Sequence, residues 1–126
     1  MNKAIYIATG EPESGKSLIT LGLLRIILGR TKRVGYFRPI IENVIKGQKD
    51  NHIETVLSHF NLDMSYEDCY ALTVHEVIQK KIDDKEEEIV DIIFKKYKEL
   101  EERFDFILLE GTDFSGEAAF VELDLN

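Results

Sequence analysis

Gly10, Gly15, Lys16 and Ser17 stand at the spacing G-x-x-x-x-G-K-S inside the stretch YIATGEPESGKSLIT, Tyr6 to Thr20. That pattern suits polyphosphate. Glycines let the backbone turn so that successive amides point inward, and a helix N-terminus adds positive potential. Lys16 would then reach the β- and γ-phosphates of a nucleotide such as ATP, while the Ser17 hydroxyl is offered to Mg²⁺. Two glutamates inside the loop, Glu11 and Glu13, oppose this. Two unit charges about 6 Å apart at an effective dielectric near 20 interact by about 3 kcal/mol, so an inward glutamate weakens binding. Facing Mg²⁺ or the nucleoside, the same side chain would assist it. The candidate nucleotide-contacting residues are therefore Gly10, Glu11, Glu13, Ser14, Gly15, Lys16 and Ser17, against the alternative of a loop that keeps the turn alone.

Two further charges stand where strands are expected to end. FDFILLEG, Phe104 to Gly111, delivers Glu110 after an apolar run. A carboxylate at that edge holds Mg²⁺, directly or through water, or serves as a salt-bridged acid. RVGYFRP, Arg33 to Pro39, delivers Arg38, which grips an anion or makes a surface ion pair. No residue pattern in the chain reads as a catalytic acid, base or nucleophile.

The elements that must position these groups follow from periodicity. Lys3 to Thr9 and Phe104 to Gly111 are short apolar runs of the kind found in parallel strands buried on both faces. Arg33 to Pro39 is a third strand, ended by a proline that cannot donate to a ladder. A helix from Lys16 to about Gly29 carries apolar residues nearly all round. The resulting strand–helix–strand crossover predicts that the first two strands are parallel neighbours in one sheet. Residues 40–50 read as a polar loop. Ile53, Val56, Leu57 and Phe60 mark an amphipathic helix in NHIETVLSHFNL, and SYEDCYALT holds a short edge segment. Thr73 followed by Glu76 predicts a capping box opening a helix over Val74 to Lys81. Asp83 to Arg103 carries Ile89, Ile92, Ile93, Tyr97 and Leu100 on one face of a further helix, opened by an acidic run. The expected fold class is α/β, a three-layer αβα arrangement around a mainly parallel sheet, which with the G-x-x-x-x-G-K-S motif resembles P-loop NTPases.

Bulk properties narrow the partners. With 24 acidic against 16 basic residues the net charge is −8, which disfavours nucleic acid and anionic membrane surfaces. The apolar start of the chain is too short for a signal peptide or a membrane span, so a cytoplasmic location is expected. Cys69 is the single cysteine and reads as a buried free thiol. His52, His59 and His75 lack metal-ligand spacing and read as surface or boundary residues.

The combination TG-x4-GKS, GYFRPI and DFILLEGTD resembles the dethiobiotin synthetase-like branch of P-loop proteins. That branch includes dethiobiotin synthetase, cobyrinic acid a,c-diamide synthase and the N-terminal domain of long phosphate acetyltransferases. HIETVLSHFNL, YEDCYALTVHEV and FDFILLEGTDF look most like the acetyltransferase version, whose strand ends in EGTDF where the ligases show EGAGG. The resemblance runs over nearly the whole chain, and it places a Mg²⁺-binding acid at Asp50. It departs from the ligases at Glu11, Pro12 and Glu13, at Arg38 where they often have lysine, and at Thr112 to Phe114. It implies a nucleotide-binding regulatory or structural domain of a phosphate acetyltransferase, with an ATP-dependent carboxylate-activating ligase as the other reading. Residues 1–126 are then a partial domain, cut after the strand ending at Glu110. Its partners would be the C-terminal domains of its own parent chain, with self-association through an uncovered apolar edge or face.

Overall fold

In the computed structural model residues 3–7, 13–42 and 49–111 are described, with side chains from residue 21 onward. Gly10, Glu11 and the stretch after Gly111 lie outside the described residues. The elements in chain order are strand β1 (Lys3–Ile7), helix α1 (Glu13–Leu28), strands β2 (Val34–Phe37) and β3 (Ile40–Ile41), and helix α2 (Asn51–His59). A 3-10 turn over Glu67–Cys69, strand β4 (Leu72–Thr73), helices α3 (Val74–Ile82) and α4 (Glu86–Arg103), and strand β5 (Phe106–Glu110) complete the order.

β1, β5 and β2 form one parallel sheet in that spatial order. All three expected strands are parallel, but β1 and β2 are not neighbours: β5 lies between them, pairing Lys3 through Ile7 with Phe106 through Glu110 on one side and Val34 through Phe37 with Phe106 through Leu109 on the other. The physical reason lies in composition. Ile107, Leu108 and Leu109 are buried, and a strand apolar on both faces is best satisfied at the centre of a sheet. Among the described residues β2 stands at the edge, where its backbone is covered by a loop: the Tyr36 N–H donates to Met64 Sδ at 3.3 Å and the Arg38 N–H to the Cys69 carbonyl at 2.7 Å. That covering protects an edge otherwise open to pairing with another chain.

Alternation along β2 and β5 splits the core between two faces. Val34, Tyr36 and Leu108 pack with Leu24 of α1 and with Ile53 and Val56 of α2. Phe37, Ile107 and Leu109 pack with Tyr97 and Leu100 of α4. Helices on both faces of a parallel sheet make the three-layer α/β architecture.

Several boundaries differ from the sequence reading. α1 opens at Glu13 rather than Lys16, with Pro12 just before it and a glutamate in the first turn, both favourable at a helix start. Ile40 and Ile41, read as the start of a polar loop, form β3 and pair in parallel with Leu72 and Thr73 of β4; Ile41 is fully buried. α4 opens at Glu86 rather than Asp83, because Asp84 adopts a left-handed conformation (φ 57°) that ends the preceding helix. The capping box is present as read: Thr73 Oγ1 accepts from the Glu76 N–H at 3.2 Å and the Glu76 carboxylate accepts from the Thr73 N–H at 3.0 Å. Among the described residues, no helix is long and apolar enough to cross a membrane.

Candidate functional site

The carboxyl edge of the sheet gathers the chemistry. Ile7, the last residue of β1, pairs with Glu110, so the chain leaves β1 toward α1 at the level where β5 presents its acid. On the other side Phe37 pairs with Leu109, which brings the next positions, Arg38 and Glu110, side by side. Alternation puts both side chains on the face occupied by Tyr36 and Leu108. Arg38 Nη1 lies 2.7 Å from Glu110 Oε1, a short charge-assisted hydrogen bond.

α2 supplies the rest. Asp50 caps its N-terminus, with Oδ1 accepting from the Ile53 N–H at 3.0 Å, while Oδ2 lies 3.5 Å from Arg38 Nε. The Asp50 N–H donates to the Tyr66 hydroxyl at 2.6 Å, which fixes the entry to the helix. In the first turn, His52 Nδ1 approaches Glu110 Oε1 at 3.1 Å. The side chains of Arg38, Asp50 and Glu110 are 4%, 6% and 1% exposed. This is a buried ionic cluster, and Arg38 belongs to it rather than to the surface ion pair admitted by the sequence. His52 is a boundary residue as read, but the sequence does not show its role: its side chain is 10% exposed and lies against Glu110. His59 and His75 are exposed, as read.

Tyr36 lies beneath the cluster. Its hydroxyl is buried without a well-formed hydrogen bond among the described residues, and burial, then the charge of Glu110, pushes its pKa well above the ordinary tyrosine value. Cys69 is buried as expected, and burial pushes its thiol up to about 12. It is therefore a poor nucleophile.

Of the expected loop residues, Glu13, Ser14, Gly15, Lys16 and Ser17 all fall in the first turns of α1. The fit of Asp50 and Glu110 to a divalent ion can be tested on their donors. Mg²⁺ requires oxygen ligands at about 2.0–2.1 Å in near-octahedral geometry and usually keeps several waters. Glu110 Oε1 already faces Arg38 and His52, Asp50 Oδ1 accepts the cap hydrogen bond, and Asp50 Oδ2 faces Arg38. In this arrangement three of the four carboxylate oxygens already face a cation or a helix amide, which makes the pair a poor fit for the ion. Elsewhere, an open depression of about 400 Å³ lies between the 3-10 turn and α4, lined by Glu67, Tyr70, Lys95 and Lys96 among others; it contains none of the cluster residues.

A family profile described as an AAA domain matches residues 3–126. The chain belongs to this AAA-domain family. Within this AAA domain, identity to a phosphate acetyltransferase of Synechocystis sp. is 43% over 126 residues, the whole of the chain and 18% of that relative. A phosphate acetyltransferase of Nitratidesulfovibrio vulgaris is 40% identical over the same length, again 18% of the relative. An ATP-dependent dethiobiotin synthetase of Clostridium perfringens is 26% identical over 118 residues, which covers 89% of the chain and 52% of that enzyme. The AAA domain thus spans under a fifth of the acetyltransferases it matches, and the resemblance to phosphate acetyltransferases and, more weakly, to dethiobiotin synthetases is borne out.

Proposed function

We propose that this chain is the nucleotide-binding portion of a phosphate acetyltransferase, serving a regulatory or structural role in an enzyme that exchanges acetyl groups between CoA and phosphate. The reading is carried by one juxtaposition: the G-x-x-x-x-G-K-S sequence follows β1 and ends in the first turns of α1, and β1 ends level with Glu110 of β5, beside Arg38 just after β2. Similarity over the whole of this chain to 18% of each of two phosphate acetyltransferases supports the parent enzyme. In this reading residues 1–126 are a partial domain, its partners are the other domains of the same chain, and its location is cytoplasmic.

The ligand is ATP or a related nucleotide. Lys16 and the amides of Gly10 through Ser17 would bind its phosphates, aided by the positive end of α1, and Glu11 and Glu13 would tune the affinity. The Ser17 hydroxyl would hold the Mg²⁺ that accompanies the nucleotide, and the ion would supply charge neutralisation to the phosphates. Arg38, held by its two acids, orders the floor of the site, and the acetyl transfer itself belongs to other parts of the enzyme.

Calorimetric titration of the full-length enzyme with ATP tests this. Lys16→Ala removes a charge-assisted contact and should weaken binding by roughly 1.5 to 3 kcal/mol, about tenfold to a hundredfold. Absence of detectable ATP binding by the unaltered enzyme would overturn the reading.

A further inference from the structure

We propose that Arg38 is itself the cation of the Asp50–Glu110 pair, a built-in guanidinium standing where a divalent metal would have to stand, so that these two acids hold no metal. The proposal deepens the nucleotide-site reading but stands on geometry that needs no nucleotide. One planar guanidinium reaches both carboxylates, Nη1 to Glu110 Oε1 at 2.7 Å and Nε toward Asp50 Oδ2 at 3.5 Å. The same Glu110 oxygen is also approached by His52 Nδ1 at 3.1 Å. A metal would need those oxygens and would meet a positive charge already seated among them.

Arginine cannot vacate the place by losing its proton, because its charge persists at any physiological pH. Burial disfavours a hydrated ion bridging at longer range: the three side chains are at most 6% exposed, and Mg²⁺ keeps several waters that would each have to be seated beside them. The buried Arg38 Nε, which makes no hydrogen bond of good geometry, points toward Asp50 as a pure charge contact. Arg38 is therefore a positioning residue. It ties the end of β2 to the end of β5 and to the N-terminus of α2, three elements that a metal would otherwise have to join.

The test uses Mn²⁺ alone, without nucleotide, on the full-length protein. In the unaltered protein, the ring resonances of His52 should show no paramagnetic broadening at submillimolar Mn²⁺. Arg38→Gln, which keeps a polar side chain but removes the charge, should gain a Mn²⁺ site at least tenfold tighter than any at this position in the parent. Adding Glu110→Gln should abolish it. Broadening of His52 in the unaltered protein at submillimolar Mn²⁺ would overturn the proposal, as would equal Mn²⁺ affinity in parent and Arg38→Gln. Should Arg38→Gln fail to fold, the measurement on the unaltered protein decides alone. Loss of ATP binding would sink the proposed function and leave this result untouched.

Discussion

A methyl group placed on Gly35 should destabilise the domain, and the structure says by how much and through which neighbour. An added Cβ would lie 2.7 Å from Phe104 Cδ2 and 3.1 Å from both Cε2 and Cγ, where carbon contacts are comfortable at about 3.5–4.0 Å. The ring has little freedom to retreat. Phe104 is 4% exposed and packed among Phe37, Tyr97, Leu100, Ile107 and Leu109. Its backbone is also fixed, since the Phe104 N–H donates to the Leu100 carbonyl at 2.9 Å and the next N–H, of Asp105, to the Arg33 carbonyl at 2.8 Å. Overpacking of this kind costs about 1–3 kcal/mol. Against it stands the loss of unfolded-chain freedom on replacing glycine, which stabilises by about 0.4–1 kcal/mol. The packing term wins, leaving Gly35→Ala about 1–2 kcal/mol less stable. Urea unfolding followed by circular dichroism should show the midpoint lowered by roughly 0.5–1 M with the slope unchanged. In a Phe104→Ala background the same substitution should become neutral or stabilising, because the atom it strikes is gone. An unchanged or raised midpoint for Gly35→Ala alone, or an equal loss in both backgrounds, would refute the reasoning.

Tyr36→Phe should be neutral or stabilising, by no more than about 1 kcal/mol, since it removes a buried hydroxyl without a well-formed hydrogen bond; a loss beyond that in the same unfolding assay would show that Glu110 or another group holds the phenol. The Asp68 carboxyl lies below its ordinary range: burial raises it, but the Ser65 N–H and the Arg103 guanidinium together outweigh burial. A folded value below the unfolded one, near 4, means that the contribution is present above that pH and disappears as pH falls through the folded value. Asp68→Asn should therefore cost stability at neutral pH and converge with the parent as pH falls through the folded value, and a difference that grows on acidification would contradict the assignment.

The chain announced its elements more clearly than their arrangement. The run FILLE states that β5 is buried on both faces, and Thr73 with Glu76 states a helix start, because each signal is local: a composition, or a spacing of three. The position of β5 between β1 and β2 is not local. A crossover connection constrains direction and handedness, and it leaves room for a later strand to enter. For the site, Glu110 and Arg38 were legible as charges at strand ends, yet whether they met each other or a ligand depended on register, which no single segment carries. His52 was hidden because its partner lies on β5, distant in sequence, and a solitary histidine on an amphipathic helix has no distinguishing pattern. Ile40 and Ile41 were lost because two residues show no period.

The central place of β5 has a consequence for how the domain comes into being on the ribosome. β1 and β2 are made early and have no direct pairing with each other, so neither can complete a sheet until the strand at residues 106–110 has emerged. Glu110 is separated from Arg38 by 72 residues, and closing contacts at such separations slows folding. Throughout that interval Arg38 and Asp50 exist without the acid that completes their cluster. The one five-residue segment that pairs both strands thus also carries the acid that completes the charged cluster, so sheet and cluster depend on the same late arrival.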